Sequence, residues 1–432
     1  MDQSTIALLS AGVMIVVFLG AWFLKVPHII SLTLAAIGGA LVAGNGIPLR
    51  HLVEGSFMFF DLVLIILTAM MFLGVLRETG ALSRMILDII RRFHRQPFIL
   101  LSVLTLVVML PGALTGSGTA AVLAVGSLVG AVLIGLGIPA VNTVAIIALA
   151  GVIGSFAPPV NIPAMAMANG INMPYSGMFF ALALISIPLG LICSIVLGGR
   201  YLKRNDQIQT LIEEMEETTK AKAIGPLATY LPLVFVLGTM ILTRIFPGSL
   251  PNPGIPMIFI LGLVLALILS PRLKILPLVT GSIREAMPVV GILIGVGAFV
   301  QVMTLTGVRG LFVITAVTLP EIGLYVFILL GFVLAGALLG SYGSGTVFGI
   351  PVTLALLDRD PVLAIIGLSL MAAFSSLTPP TAIVGQAAVM SVGYKGSYGA
   401  VLKKMWLPWL IASLIGLAIV VFADRLDWLV RY

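Results

Sequence analysis

Thr115-Gly116-Ser117-Gly118-Thr119 stands in the middle of a long uncharged stretch, and Tyr342-Gly343-Ser344-Gly345-Thr346 repeats it 227 residues later. Ahead of each copy, Leu76-Arg77-Glu78-Thr79-Gly80 is answered by Met303-Thr304-Leu305-Thr306-Gly307. Behind each, Ser155-Phe156-Ala157-Pro158-Pro159 returns as Ser376-Leu377-Thr378-Pro379-Pro380, 221 residues on. One such match could arise by chance in a glycine-rich chain. Three in the same order and near-constant spacing mark an internal repeat. The repeat divides the chain into a first unit over 1–199, a polar linker over 200–225 and a second unit over 226–432.

The solvent around these motifs follows from composition. Of 432 residues, 60% are hydrophobic and 9% charged, and the mean hydropathy is +1.22. A soluble domain carries about 25% charged residues, so this chain could not cover itself in water. Residues 5–24 and 27–46 are each of the length an α-helix needs to cross the hydrocarbon core. Strands of alternating polarity are absent, which argues against an outer-membrane barrel. Met1-Asp2-Gln3 offers no basic start for a cleavable signal. Cys193 is the single cysteine, so neither an intrachain disulfide nor a cysteine metal site is expected. The net charge of +7 sits in short loops, where it sets topology; nucleic acid is not an expected partner.

Hydrophobic segments are predicted near 5–24, 27–46, 56–76, 97–136 (a pair), 141–171 (interrupted), 177–199, 226–246, 253–270, 286–306, 322–357 (a pair), 361–392 (interrupted) and 404–423. With both termini periplasmic, 17 of the 23 Lys and Arg residues fall in cytoplasmic loops, as the positive-inside bias requires. That count needs 97–136 and 322–357 to enter and leave on one side, as re-entrant hairpins; the alternative is two ordinary spans each. Backbone that is not helical at membrane depth is tolerated where protein or a water-filled cavity covers it. The segment after Gly80 carries Arg84, Arg91, Arg92 and Arg95, whereas its counterpart after Gly307 carries Arg309 and Glu321. Equivalent loops with opposite charge bias predict two inverted repeats. The expected fold is thus all-α and polytopic, each repeat with a re-entrant hairpin and a broken helix, plus scaffold helices. Residues 81–95 pattern as an amphipathic arm, with Leu82, Met85, Ile86, Ile89, Ile90 and Phe93 on one side.

No charge occurs between Arg95 and Arg200, or between Asp360 and Lys395. The Ser, Thr, Gly, Pro and Asn clusters lie in those stretches. Proline pairs break a helix and free carbonyls; the half-helix N-termini beyond them present positive dipole ends. Interrupted segments at matching places in two halves point to a transport site. The alternative is close helix packing by small residues. Candidate substrate- and ion-binding residues are Thr115, Gly116, Ser117, Gly118 and Thr119, with Ser155, Pro158, Pro159 and Asn161, in the first half. In the second they are Ser341, Gly343, Ser344, Gly345 and Thr346, with Ser376, Thr378, Pro379, Pro380 and Thr381. The hydroxyls of Ser117, Thr119, Ser344 and Thr346 are the expected sodium ligands, since hydroxyl oxygens suit a hard cation. Buried acids are missing; Asp61 lies near the end of its span, and His28, His51 and His94 at span ends. An anion held by hydroxyls and helix N-termini, with sodium on carbonyls, fits this inventory better than a cationic substrate or a proton relay. A channel and an intramembrane enzyme are the readings from other classes. For the latter, no His-Glu-x-x-His motif exists, and no base accompanies Ser117 in its stretch.

At these residues the chain resembles the large membrane subunit of TRAP transporters, within the wider ion transporter superfamily. The resemblance covers nearly the whole chain and rests on the basic arm Arg84–Arg95, the Gly116-Ser117-Gly118-Thr119 hairpin, the Gly154…Pro158-Pro159 break and Thr378-Pro379-Pro380. It implies a multi-pass protein of the bacterial inner membrane and sodium-coupled import of small organic anions, commonly C4-dicarboxylates, by an elevator motion. It also implies a small four-helix membrane subunit and a periplasmic substrate-binding protein as partners, and no cofactor besides coupling ions. Large TRAP subunits often carry an Asp in the second hairpin, where this chain has Tyr342-Gly343-Ser344-Gly345-Thr346. Other superfamily branches, which work as stand-alone carboxylate symporters, look more alike there.

Overall fold

The computed structural model describes residues 2–202, 212–213, 225–246, 251–270 and 273–430; most of the linker lies outside them. Among the described residues the chain is helical without strands, and nine helices are long and apolar enough to cross a membrane. It is an all-α polytopic membrane protein. Leu8, Ile15, Val16 and Phe23, all on the first helix, stay exposed, as side chains facing lipid would.

In the first half the helices are α1 (Gln3–Phe23), α2 (His28–Val42), α3 (Leu49–Ser56), α4 (Phe60–Glu78), α5 (Ala81–Phe93), α6 (Pro97–Thr115), α7 (Gly118–Gly135), α8 (Ala140–Phe156), α9 (Ile162–Gly170) and α10 (Phe179–Gly198). In the second they are α11 (Pro226–Ile245), α12 (Ile255–Leu269), α13 (Ile275–Leu305), α14 (Val308–Thr318), α15 (Glu321–Gly343), α16 (Gly349–Ala355), α17 (Pro361–Ser375), α18 (Ile383–Val392) and α19 (Tyr398–Val421). They pack as two groups, each drawing on both halves. One joins α1–α4 to α11–α13; the other joins α6–α10 to α15–α19, with α18 lying against α7 and α8.

Local chemistry explains the matched joints. Gly80 (φ 79°) and Gly307 (φ 77°) take the left-handed conformation that a Cβ disfavours, and each turns the chain into a short helix, α5 or α14. The α5 arm buries Ala81, Leu82, Ile86, Leu87 and Ile90 and is tied to α11 by the Tyr230 hydroxyl, which donates to Asp88 at 2.9 Å. The predicted amphipathic arm is therefore present, docked along its apolar side. The helix pair α6 and α7 packs together across a tight turn, where Gly116 is left-handed (φ 65°). Ser117 then caps α7, its Oγ accepting from the Ala120 N–H at 3.2 Å, as a side-chain cap does for an otherwise orphaned donor.

The second hairpin departs from expectation. Its backbone reverses at Gly340 (φ 67°, ψ −169°), a region open essentially to glycine alone. Gly343-Ser344-Gly345-Thr346 is not the turn; Ser344–Phe348 form a π-helical stretch just past it. Phe348 is held among Phe312, Phe327 and Phe332, with ring centroids 5.1–5.5 Å away. Gly345 is needed for contact rather than reversal, since a Cβ there would meet Pro163 of α9 at 2.9 Å.

With the turn at Gly340, Gly116 and Gly340 correspond at an offset of 224 residues, and the two halves align in backbone detail. The Val160 N–H donates to the Ala113 carbonyl at 3.0 Å, and the Thr381 N–H to the Ala337 carbonyl at 3.4 Å. Each hairpin is thus stitched to its own break by the same bond. Both proline pairs, Pro158-Pro159 and Pro379-Pro380, are cis.

Candidate functional site: a cavity between two hairpin tips

The tips of the two hairpins touch. The Tyr342 hydroxyl donates to the Gly116 carbonyl at 3.1 Å. Beside this contact lies a cavity of about 340 Å³, the size of a small organic ligand. Ser117, Gly118 and Thr119 line it from the first tip, Gly340, Ser341 and Tyr342 from the second, and Ser376 from the end of α17. Ile383 and Val384 close it from α18; Ile66, Met70 and Leu73 of α4 and Pro288, Val289 and Ile292 of α13 form the facing wall. Arg77 and Glu285 stand at its edge as an ion pair. Hydroxyls and peptide groups on one side and an apolar wall on the other suit a small amphiphilic solute.

Of the residues singled out from sequence, Ser117, Gly118, Thr119, Ser341 and Ser376 meet at this cavity. The others sit behind it. The Thr115 hydroxyl donates to the Pro111 carbonyl at 2.7 Å and accepts from the Ser117 N–H at 3.2 Å, so it braces the first turn. Ser155 is buried and donates to Val152 O. Ser344 donates to Ser341 O and meets the Ser375 hydroxyl at 3.1 Å. Thr346 donates to Tyr342 O at 2.7 Å. Ser344 and Thr346 thus spend their protons on carbonyls of the turn just before the π-helical stretch, a consequence of the turn lying at Gly340. Gly343 is buried behind the tip, in helical conformation.

Asn161 is fully buried and fully engaged. It donates to Phe156 O and to Ser369 Oγ, both at 3.1 Å, and its Oδ1 accepts from the Ala164 N–H. It caps α9 and ties the first break to α17 of the other half. The position opposite it, one residue before α18, is Ala382, left-handed at φ 40° and without a side-chain cap. Next to it, the Thr378 and Thr381 hydroxyl oxygens are buried and have no hydrogen-bond partner among the described residues. Pro379 and Pro380 are exposed, whereas Pro158 is half-buried and Pro159 buried.

Sequence reasoning missed Gly340, Tyr342 and the Arg77–Glu285 pair as cavity residues. Gly340-Ser341 carried a readable signal, since it offers a second Gly-Ser turn three residues ahead of the one chosen. It missed also that His28, on α2, reaches the second hairpin, with Nε2 3.2 Å from Leu338 O. Asp61 is exposed in the first turn of α4, away from the cavity lining.

Known proteins share this fold. Solved transporters match the fold: MtrF of Neisseria gonorrhoeae, from a class of antimetabolite efflux pumps, is 16% identical with a TM-score of 0.61, over 88% of this chain and 84% of MtrF. The YdaH transporter of Alcanivorax borkumensis is 18% identical with a TM-score of 0.55, over 87% of this chain and 88% of YdaH. No curated protein matches the sequence significantly. The model of the tripartite ATP-independent periplasmic transporter DctM component matches residues 14–426, nearly the entire chain. The chain belongs to that family, and it is a multi-pass membrane protein of a TRAP-type secondary transporter.

Proposed function

We propose that this protein imports small organic anions, a C4-dicarboxylate or related carboxylate, coupled to sodium, across a bacterial inner membrane. The observation that carries the reading is the cavity at the touching hairpin tips, with its hydroxyls, its α7 N-terminus and, among the described residues, no carboxylate except Glu285, which Arg77 already neutralises. The start of α7 points a positive dipole end at a bound anion. The coupling ion belongs at the breaks, where peptide carbonyls and hydroxyls replace water. Thr378 and Thr381, whose oxygens lack partners, join Ser117 and Thr119 as its best ligands; Ser344 and Thr346 support them from the π-helical stretch.

The motion that suits this packing is an elevator. The hairpin group, α6–α10 with α15–α19, slides as a body past α1–α4 and α11–α13, with the arms α5 and α14 as braces. The two inverted halves then exchange roles across the bilayer. As in the family, the working assembly is proposed to include a small four-helix membrane subunit and a periplasmic substrate-binding protein.

The test is uptake of labelled carboxylates into proteoliposomes, with the partner subunits added. Saturable uptake of at least one carboxylate under an inward sodium gradient is expected, and a bulky Ser117→Trp variant should abolish it. Equal uptake with potassium alone would remove sodium from the proposal; non-saturating flux would replace the carrier with a channel.

A further inference from the structure

A second, much smaller cavity lies away from the hairpin tips, where the loop between α9 and α10 meets the ends of α11 and α12. Its volume is about 20 Å³, room for one water-sized particle, since about 10–15 Å³ suffices for a water. Tyr175, Arg244, Asn252, Thr243, Ile255 and Pro159 are among its walls.

The polar groups there are nearly all donors. The Tyr175 hydroxyl oxygen is buried, faces the Asn161 N–H, and its proton has no acceptor among the described residues. Arg244, in the last turn of α11, makes no hydrogen bond or ion pair with any described residue. The Asn252 carbonyl oxygen already accepts from the Gly254 N–H at 3.1 Å, which leaves its amide protons to give. Ile255 opens α12, a 15-residue helix whose N-terminus has no side-chain cap. The Thr243 hydroxyl proton is committed to Thr239 O at 2.9 Å. Among the described residues, no carboxylate lines the space.

We infer that this cavity is a binding site for one small inorganic anion of chloride size. A single water could accept from Tyr175, but it carries no charge to answer Arg244. A partly buried guanidinium without a counter-charge is costly, and an uncapped helix N-terminus adds a further positive end. A halide accepts from Tyr175, Arg244 and the Asn252 amide at once. It would join the first proline break, through Pro159 and Tyr175, to α11 and α12 of the opposing group.

Thermal unfolding of the purified protein in sodium chloride, sodium bromide and sodium gluconate at equal ionic strength tests this. Chloride and bromide should raise the midpoint by about 2 °C over gluconate and saturate with concentration. Tyr175→Phe and Arg244→Gln should each remove the difference, while Arg244→Lys should keep part of it. Crystals grown in bromide should show an anomalous peak between Tyr175 and Arg244, a readout that survives even if a variant fails to fold. Identical midpoints in the three salts, a halide effect untouched in both variants, or saturating bromide without the peak would each overturn the assignment.

Discussion

The two proline breaks are built from like residues in the same order, yet they end in opposite surroundings. The first is packed: Pro159 is buried, Asn161 spends every polar atom, and a Cβ on Gly154 would lie 2.5 Å from the Met109 carbonyl. The second is open: Pro379 and Pro380 are exposed, Ala382 gives α18 no cap, and two threonine hydroxyls are left without partners. A saturated network rigidifies, whereas an unsatisfied buried oxygen is a standing cost unless something arrives to use it. The packing makes the first break a buttress; under the proposed function, the second is the place where ion and solute are exchanged.

The sharpest way to break this comparison is steric. Gly154→Val should abolish folded protein, a loss above about 4 kcal/mol, because Met109 presents backbone that cannot withdraw. Size-exclusion profiles after membrane extraction check it. At the second half's tip, Gly340→Ala should cost roughly 1–3 kcal/mol from backbone conformation alone. Its Cβ would meet only the far end of Ile383 at 3.3 Å, so the protein should fold, with uptake lost because the turn beside the cavity is displaced. Wild-type uptake in Gly340→Ala would show that the tip geometry is not used.

Polar substitutions separate the halves further. Asn161→Ala removes the α9 cap and takes the amide donor from the Phe156 carbonyl, while the Ser369 hydroxyl keeps its bond to Ile366 O; the cost is about 2 kcal/mol, and a fall in the unfolding midpoint checks it. Thr378→Val and Thr381→Val keep shape and delete only unbonded oxygens. Their stability should hold or rise slightly, while sodium affinity falls about tenfold for each, the worth of one bond to a charge. If instead these variants lose stability and keep sodium affinity, the second break is packing, and its resemblance to the first is complete.

How much of this could be read in the chain alone follows from the same contrast. The spans, the arm, the hairpin at Gly116 and both breaks were legible because each rests on local chemistry: apolar length, a glycine with positive φ, a proline pair. The place of the second turn was not. Gly340-Ser341 and Gly343-Ser344 are equally good local signals, and the choice between them is made by Phe348 among three other phenylalanines and by Pro163 against Gly345. Pro163 is far from the turn in sequence, and the phenylalanines meet only once the chain has reversed. Nor could spacing tell which polar residues face the cavity. Asn161 and Ser117 read alike as polar residues beside a break, but Asn161 is consumed by α17 of the other half. The Arg77–Glu285 pair joins residues 208 apart, beyond any pattern of periodicity.

The smallest expected effect lies at the bases of the hairpins, where the halves differ in charge. Pro97 opens the first hairpin, and Glu321 the second. Glu321 accepts from the Tyr325 hydroxyl and from Arg359, and these bonds hold its carboxyl below the ordinary glutamate value, the Tyr325 bond most. Arg359 also donates to the Val420 and Val421 carbonyls at 3.2 and 3.1 Å, so the cluster fastens α15 to the end of α19. A carboxyl depressed in the folded state contributes stability that is complete above its unfolded value and fades as pH falls through its folded one. Stability should therefore decline as the medium is acidified below about pH 4.3, and Glu321→Gln should flatten that part of the profile. The effect should be slight, because the Glu321 carboxylate itself is largely exposed to solvent, although Arg359 is not. Unfolding midpoints between pH 3 and 6, compared for the two proteins, read it directly. Curves that stay parallel through that window would mean that the base of the second hairpin is held by Arg359 and the α19 carbonyls without help from the carboxylate.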